Sequence, residues 1–144
     1  MSSKFEQAAE RIGAAAEAAH RLGFPFTLTA RAENHIRDHP DLDDTIARLQ
    51  AFEAAGADVL FAPGLRTREE IHAVCEAVMK PVNVLALGGM SFAEIVEAGA
   101  QRVSVGGGLT WVAVNAMAAA AGEIHDRGDF SALGASPPLR EWFT

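Results

Sequence analysis

The chain has 144 residues, 49% of them hydrophobic and 22% charged, which fits one globular domain with a sizeable core and excludes a mainly disordered protein. Twelve basic residues stand against 19 acidic ones for a net charge of -7, and no Lys/Arg run occurs, so a nucleic-acid surface is excluded and small-molecule chemistry is the better fit. The single cysteine, Cys75, leaves no intramolecular disulfide.

Residues 4–22 place Phe5, Ala8, Ile12, Ala15, Ala16, Ala19 and Leu22 at helical spacing and predict a first helix, with Gly23 as its C-terminal cap. Phe24 to Ala30 reads as a strand, and residues 30–41 (ARAENHIRDHPD) as a long polar loop. Residues 42–56 predict a helix with Leu42, Ile46, Leu49 and Phe52 facing inward and Asp41 with Asp44 at its start. Ala57 to Ala62 is the second strand. Thr67 and Glu70 then form a capping box, in which hydroxyl and carboxylate reciprocally satisfy free amides at a helix start; Lys80-Pro81 ends that helix.

Cys75 shares the apolar stripe of Ile71, Val74 and Val78, and is expected in the core of a protein from a reducing compartment. Val82 to Ala86 is the third strand, Ser91 and Glu94 make a second capping box on a short helix stopping at Gly99, and Arg102 to Val105 is the fourth strand. Gly106-Gly107-Gly108 leads into a helix from about Leu109 to His125. The tail, residues 128–144, holds Pro137-Pro138, Leu139, Trp142 and Phe143, and its apolar character predicts docking on this or a partner subunit.

The N-terminus lacks the apolar core of a signal peptide, and Leu109 to Ala121 is too short and too interrupted to cross a bilayer. A cytoplasmic location with no membrane partner is expected.

Strand and helix therefore alternate four times, the rhythm of a parallel α/β fold in which chemistry collects where strands end. The expected fold class is α/β, about four parallel strands alternating with helices, residues 1–144 forming a single partial (β/α) barrel domain. A closed barrel of eight units needs roughly 250 residues. Phe26, Leu28, Val59, Phe61, Val82, Val84 and Val103, or their neighbours, are expected to face the barrel's middle, and four strands with open edges predict a homo-oligomer, a dimer or higher.

FTLTARAEN at 26–34, DLDDTIARLQAFEAAGADVLFAPGL at 41–65, KPVNVLA at 80–86 and RVSVGGGL at 102–109 together resemble the isocitrate lyase/phosphoenolpyruvate mutase superfamily. What they resemble is the C-terminal half of its (β/α)8 TIM-type barrel, from the fourth helix to the eighth. The resemblance implies a lyase or phosphonomutase that breaks or forms C–C or P–C bonds of 2-oxo acids through an enolate held on Mg²⁺. Developing charge on that oxygen needs a cation or fixed donors, and an arginine can grip a carboxylate or phosphonate with two parallel hydrogen bonds.

Arg31 matches the superfamily's substrate-binding arginine, with Glu33 and Asn34 following in the same loop to orient it or touch ligand. Asn83 is placed to aim an amide into the barrel, and Gly106 and Gly107 to offer backbone amides to an anion. Each has a plainer alternative: a strand-end ion pair of Arg31 with Glu33, a hydrogen-bonded core amide for Asn83, a tight connection for the glycines, and a flexible turn for Gly88-Gly89. His35 and His39, beside Asp38 and Asp41, read more simply as a solvated polar loop than as a metal site, and His20, His72 and His125 as surface residues.

The resemblance also implies what this stretch does not carry. The Mg²⁺ ligands and the catalytic acid or base lie in the first half of the superfamily's barrel, so no catalytic residue and no metal ligand is assigned here, and little turnover is expected of these residues alone. A small 2-oxo acid, dicarboxylate or phosphonate remains the expected ligand. The alternative is a catalytically silent half-barrel that serves as an assembly or small-anion-binding module.

Overall fold

The computed structural model describes residues 4–134 of the protein. The expectations for Pro137, Pro138, Leu139, Trp142 and Phe143 lie outside the described residues. In chain order the elements are α1 (Lys4–His20), β1 (Thr29–Arg31), a 3-10 turn (Asn34–Arg37), α2 (Leu42–Ala54), β2 (Val59–Phe61), α3 (Arg68–Ala77), β3 (Val82–Leu85), α4 (Phe92–Glu97), β4 (Arg102–Ser104), α5 (Gly108–Arg127) and a second 3-10 turn (Ser131–Gly134). Two compact units result, Met1–Val105 and Gly106–Thr144.

In the first unit the strands form one parallel sheet in the order β1-β2-β3-β4, so the expected alternation of parallel strands with helices is present. Helix starts are where local chemistry places them. Asp41 Oδ1 accepts from the Asp44 amide, and both capping boxes, Thr67 with Glu70 and Ser91 with Glu94, are complete.

The core lies between the sheet and its helices. Ala30, Leu60, Val82 and Val84 from the strands meet Leu49 and Phe52 of α2, Ile71 and Val74 of α3, and Ile95 of α4, all buried. Removing each large apolar side chain from water contributes about 1.5–3 kcal/mol, which is the main force holding the helices on the sheet. Leu42 and Ile46 are only partly buried, and Thr45 takes a fully buried place on α2.

Strand alternation corrects one expectation. Leu60 pairs with Val82, and Val84 with Val103, on the face turned to the helices, whereas Phe61 pairs with Asn83 on the opposite face. Val82, Val84 and Val103 thus belong to the helix-facing core, because side chains one residue apart must point to opposite sides of a sheet.

The first strand is also shorter than expected. Residues 25–28 lie outside β1, with Phe24 and Phe26 exposed; Pro25 has no amide to donate. Leu28 is nonetheless tied to the start of β2, its amide donating to Asp58 Oδ2 (2.8 Å) and its carbonyl accepting from the Asp58 and Val59 amides. Helix α1 ends at His20, before Gly23, and a 3-10 turn replaces part of the expected polar loop.

In the second unit α5 begins at the Gly107 N-cap, with no side-chain cap, and ends on Gly128, whose positive φ of 64° closes the helix in the left-handed conformation. Leu109, Trp111, Val112 and Met117 are exposed on it. Among the described residues no helix is long and apolar enough to cross a membrane.

Candidate anion site at the strand ends

Arg31 is the last residue of β1, at the end of the sheet where parallel α/β folds collect their functional groups. Its Nε is ion-paired with Glu33 Oε1, and its guanidinium carbon lies 5.4 Å from the centre of the Phe61 ring on the neighbouring strand. Cation and ring face attract electrostatically, which inclines the guanidinium toward β2. Glu33 is shared, since its other oxygen stands 3.4 Å from Arg37 Nε.

Arg31 and Glu33 are 46% and 39% exposed, so their pair is screened and contributes at most about 1 kcal/mol. The pair engages Nε, so a ligand carboxylate can meet the two Nη groups with Glu33 still in place. The strand-end ion pair with Glu33 is present, and Arg31 stands at the rim of the sheet.

The loop after β1 is held by its own polar groups. Asn34 donates through Nδ2 to the Asp41 carbonyl (3.1 Å) and to Thr45 Oγ1, tying the 3-10 turn to the start of α2. Asp38 closes that turn with a left-handed φ of 61°, and the His39 amide donates to the Asn34 carbonyl. The observed bonds of Asn34 position the loop; its Oδ1 is buried without a hydrogen-bond partner among the described residues. A cavity of about 300 Å³ lies between the end of β1 and helices α1 and α2, lined by Arg31, Glu33, Asn34, Arg37 and Arg48 with Ala8, Ala32 and Phe52.

Asn83 sits in β3 on the same sheet face as Phe61 and is fully buried. Its Oδ1 accepts from Arg102 Nη1 (2.8 Å) and its Nδ2 donates to Ser104 Oγ (3.0 Å). Arginine carries only donors, so the amide oxygen must face Arg102 and the NH₂ must face Ser104. The plainer alternative, a satisfied core amide, describes this arrangement.

Gly106 and Gly107 belong to the second unit. Gly106 has a φ of 52°, which an L side chain rarely adopts; a Cβ on Gly107 or Gly108 would meet nothing within 4 Å. Among the described residues, the space at Gly107 and Gly108 is open.

The residues present do not fit a resident Mg²⁺: among the described residues no group of three or more His, Cys, Asp or Glu side chains is gathered to hold a metal ion. His39 is exposed in this loop, whereas His35 Nε2 is buried without a hydrogen-bond partner among the described residues.

Sequence reasoning named Phe61 as facing the barrel's middle but missed Arg37 and Arg102. Arg37 was hidden because its link to Glu33 depends on the 3-10 turn, and Arg102 because its place beside Asn83 depends on strand register. The four-residue spacing of Glu33 and Arg37 was the one available signal.

Known proteins bear on this geometry. A candidate lyase/mutase of Burkholderia cenocepacia J2315 superposes with a TM-score of 0.90 at 47% identity, over 99% of this chain and 53% of its own. A phosphonopyruvate hydrolase, solved with oxalate and Mg²⁺, has a TM-score of 0.73 at 24% identity over 98% of this chain and 51% of its own, a likeness of fold. An oxaloacetate decarboxylase of Bradyrhizobium diazoefficiens is 50% identical over 48 residues, 33% of this chain and 16% of the decarboxylase. The chain thus spans about half the length of these solved relatives. Residues 1–125 match the phosphoenolpyruvate phosphomutase family, and the chain belongs to it, within the isocitrate lyase/phosphoenolpyruvate mutase superfamily.

Proposed function

We propose that this chain contributes the arginine side of an anion site for a small 2-oxo acid, dicarboxylate or phosphonate, and that lyase or mutase chemistry on C–C or P–C bonds is the activity this site serves. The observation that carries the reading is Arg31: a guanidinium at a strand end, inclined over Phe61 and paired with the partly exposed carboxylate of Glu33. Its two Nη groups can grip a carboxylate or phosphonate side by side while Glu33 keeps Nε oriented. Charge that develops on the substrate during bond cleavage is stabilised by a cation fixed in advance. Asn34 serves by anchoring the loop that carries Glu33. No step is assigned to Mg²⁺, because the described residues supply no donor set for it.

The protein is read as a homo-oligomer, which the exposed apolar side chains of α5 support. Its location is read as the cytoplasm, where a lone cysteine stays reduced.

Calorimetric titration with oxalate tests the site. Heat of binding that Arg31→Gln removes supports the reading, and equal binding by the variant overturns it. Pyruvate release from oxaloacetate with added Mg²⁺, measured against a protein-free control, assigns turnover to the chain if faster than the control; oxalate binding without turnover assigns the silent binding module. Light scattering at micromolar concentration checks the oligomer, and a stable monomer would count against it.

A further inference from the structure

The sheet register brings four residues into one row: Arg31 pairs with Phe61, Phe61 with Asn83, and Asn83 with Arg102. Paired residues of parallel strands point to the same side, so the row crosses the face opposite the helix-packed core. A guanidinium stands at each end of it. Both incline inward, Arg31 over the Phe61 ring and Arg102 onto Asn83 Oδ1, and Phe61 and Asn83 are themselves neighbours, on strands about 4.8 Å apart.

We propose that Arg102 is a second anion-binding group of this site, taking the second acidic group of a dicarboxylate or phosphonate whose first is held by Arg31. The inference rests on the anion-binding reading of Arg31 and deepens it to a substrate class: two acidic groups on one short molecule.

Arg102 is exposed, and among the described residues no carboxylate stands within 4.0 Å of its side-chain nitrogens, although the chain carries a net charge of -7. Its observed acceptor is a neutral amide. That leaves the positive charge uncompensated, unlike Arg31, Arg48 and Arg68, each of which faces an acid.

The amide is a built support rather than a chance contact. Asn83 is fully buried, its NH₂ donates to Ser104 Oγ, and that hydroxyl lies 3.4 Å from the Val84 carbonyl. The chain of bonds from strand to strand fixes which end of the amide meets Arg102 and orients the guanidinium without neutralising it. Asn83 is accordingly a positioning residue for Arg102, and not itself a ligand contact.

The test compares a two-acid ligand, oxalate, with a one-acid ligand, pyruvate, by calorimetry on the full chain. Arg102→Gln is expected to weaken oxalate at least about tenfold, the weight of a lost charge-assisted contact, and to leave pyruvate within about twofold. Arg102→Lys, which keeps charge and bulk, is expected to recover part of the oxalate affinity, and Arg68→Gln controls for the loss of one positive charge elsewhere. Arg31→Gln is expected to weaken both ligands.

If Arg102→Gln weakens both ligands equally, or neither, Arg102 has no selective role and the proposal falls while the Arg31 site stands. Should Arg31→Gln change nothing, or the parent chain bind neither ligand, the underlying anion site falls and takes the proposal with it.

Discussion

A methyl group on Gly64 would lie 2.8 Å from the Cβ of His35, closer than two such carbons can approach. The turn after β2 is thus pressed against the 3-10 turn that follows Glu33, and Gly64 meets it at a φ of 103°, where side chains are strained in any case. Contact and strain act together. Gly64→Ala should destabilise the protein by about 1–3 kcal/mol and displace the loop that orients Arg31. Urea unfolding and oxalate titration check both parts; an unchanged midpoint would show that the loop yields freely.

The two capping boxes make a paired prediction. Thr67→Ala and Ser91→Ala each remove a hydroxyl that accepts from a helix-start amide, and each should cost about 1 kcal/mol. The boxes sit on different helices, so the double variant should lose close to the sum in chemical denaturation.

Those same boxes make stability depend on acid. Glu70 is held below its ordinary value of 4.5, first by the Arg66 amide and then by Thr67, against an opposing effect of burial; Glu94 is held down by the Ser91 amide first. The folded state therefore prefers the ionised carboxylates. Their contribution is fully present above the ordinary carboxylate value and is lost as pH falls through the lower folded value. Glu70→Gln should flatten the fall in melting temperature between about pH 5 and 3, and an identical slope in the variant would rule out this linkage.

Leu49 has no exposed surface, at the centre of the packing between α2 and the sheet. Leu49→Ala leaves a cavity and should cost about 2–5 kcal/mol. Met79, 93% exposed, sets the contrast: its alanine variant should stay within about 0.5 kcal/mol in the same melt.

Cys75 is packed beside Gly99, and burial, with a smaller effect from Glu76, pushes its thiol up to about 11. Only about one thiol in a thousand or fewer is ionised near neutral pH, so alkylation of the native protein should be slow and should accelerate in urea. Equal rates in both conditions would place the sulfur in the open.

What could be read without coordinates was what neighbours along the chain decide. Thr67 with Glu70, Ser91 with Glu94 and Asp41 with Asp44 each close a loop of three residues, so their chemistry is complete within one turn of helix. Arg31 was legible for a different reason, because four blocks in their order resemble one superfamily. The strand boundaries were less so: the apolar run from Phe24 does not show that Pro25 and the pairing of Leu28 with Asp58 keep it out of the ladder until Thr29.

The amino-acid sequence by itself determined the βα alternation, the helix starts, the place of Arg31 at a strand end and the acidic balance of charge. Only the tertiary structure decided which face of the sheet each strand residue takes, that Asn83 is buried and accepts from Arg102, and that Arg31 and Arg102 end one row with Phe61 and Asn83 between them. The physical reason is that capping and helical periodicity are contacts of three or four residues, whereas strand register joins residues about 20 to 30 apart and one step of slip would send every side chain to the opposite face.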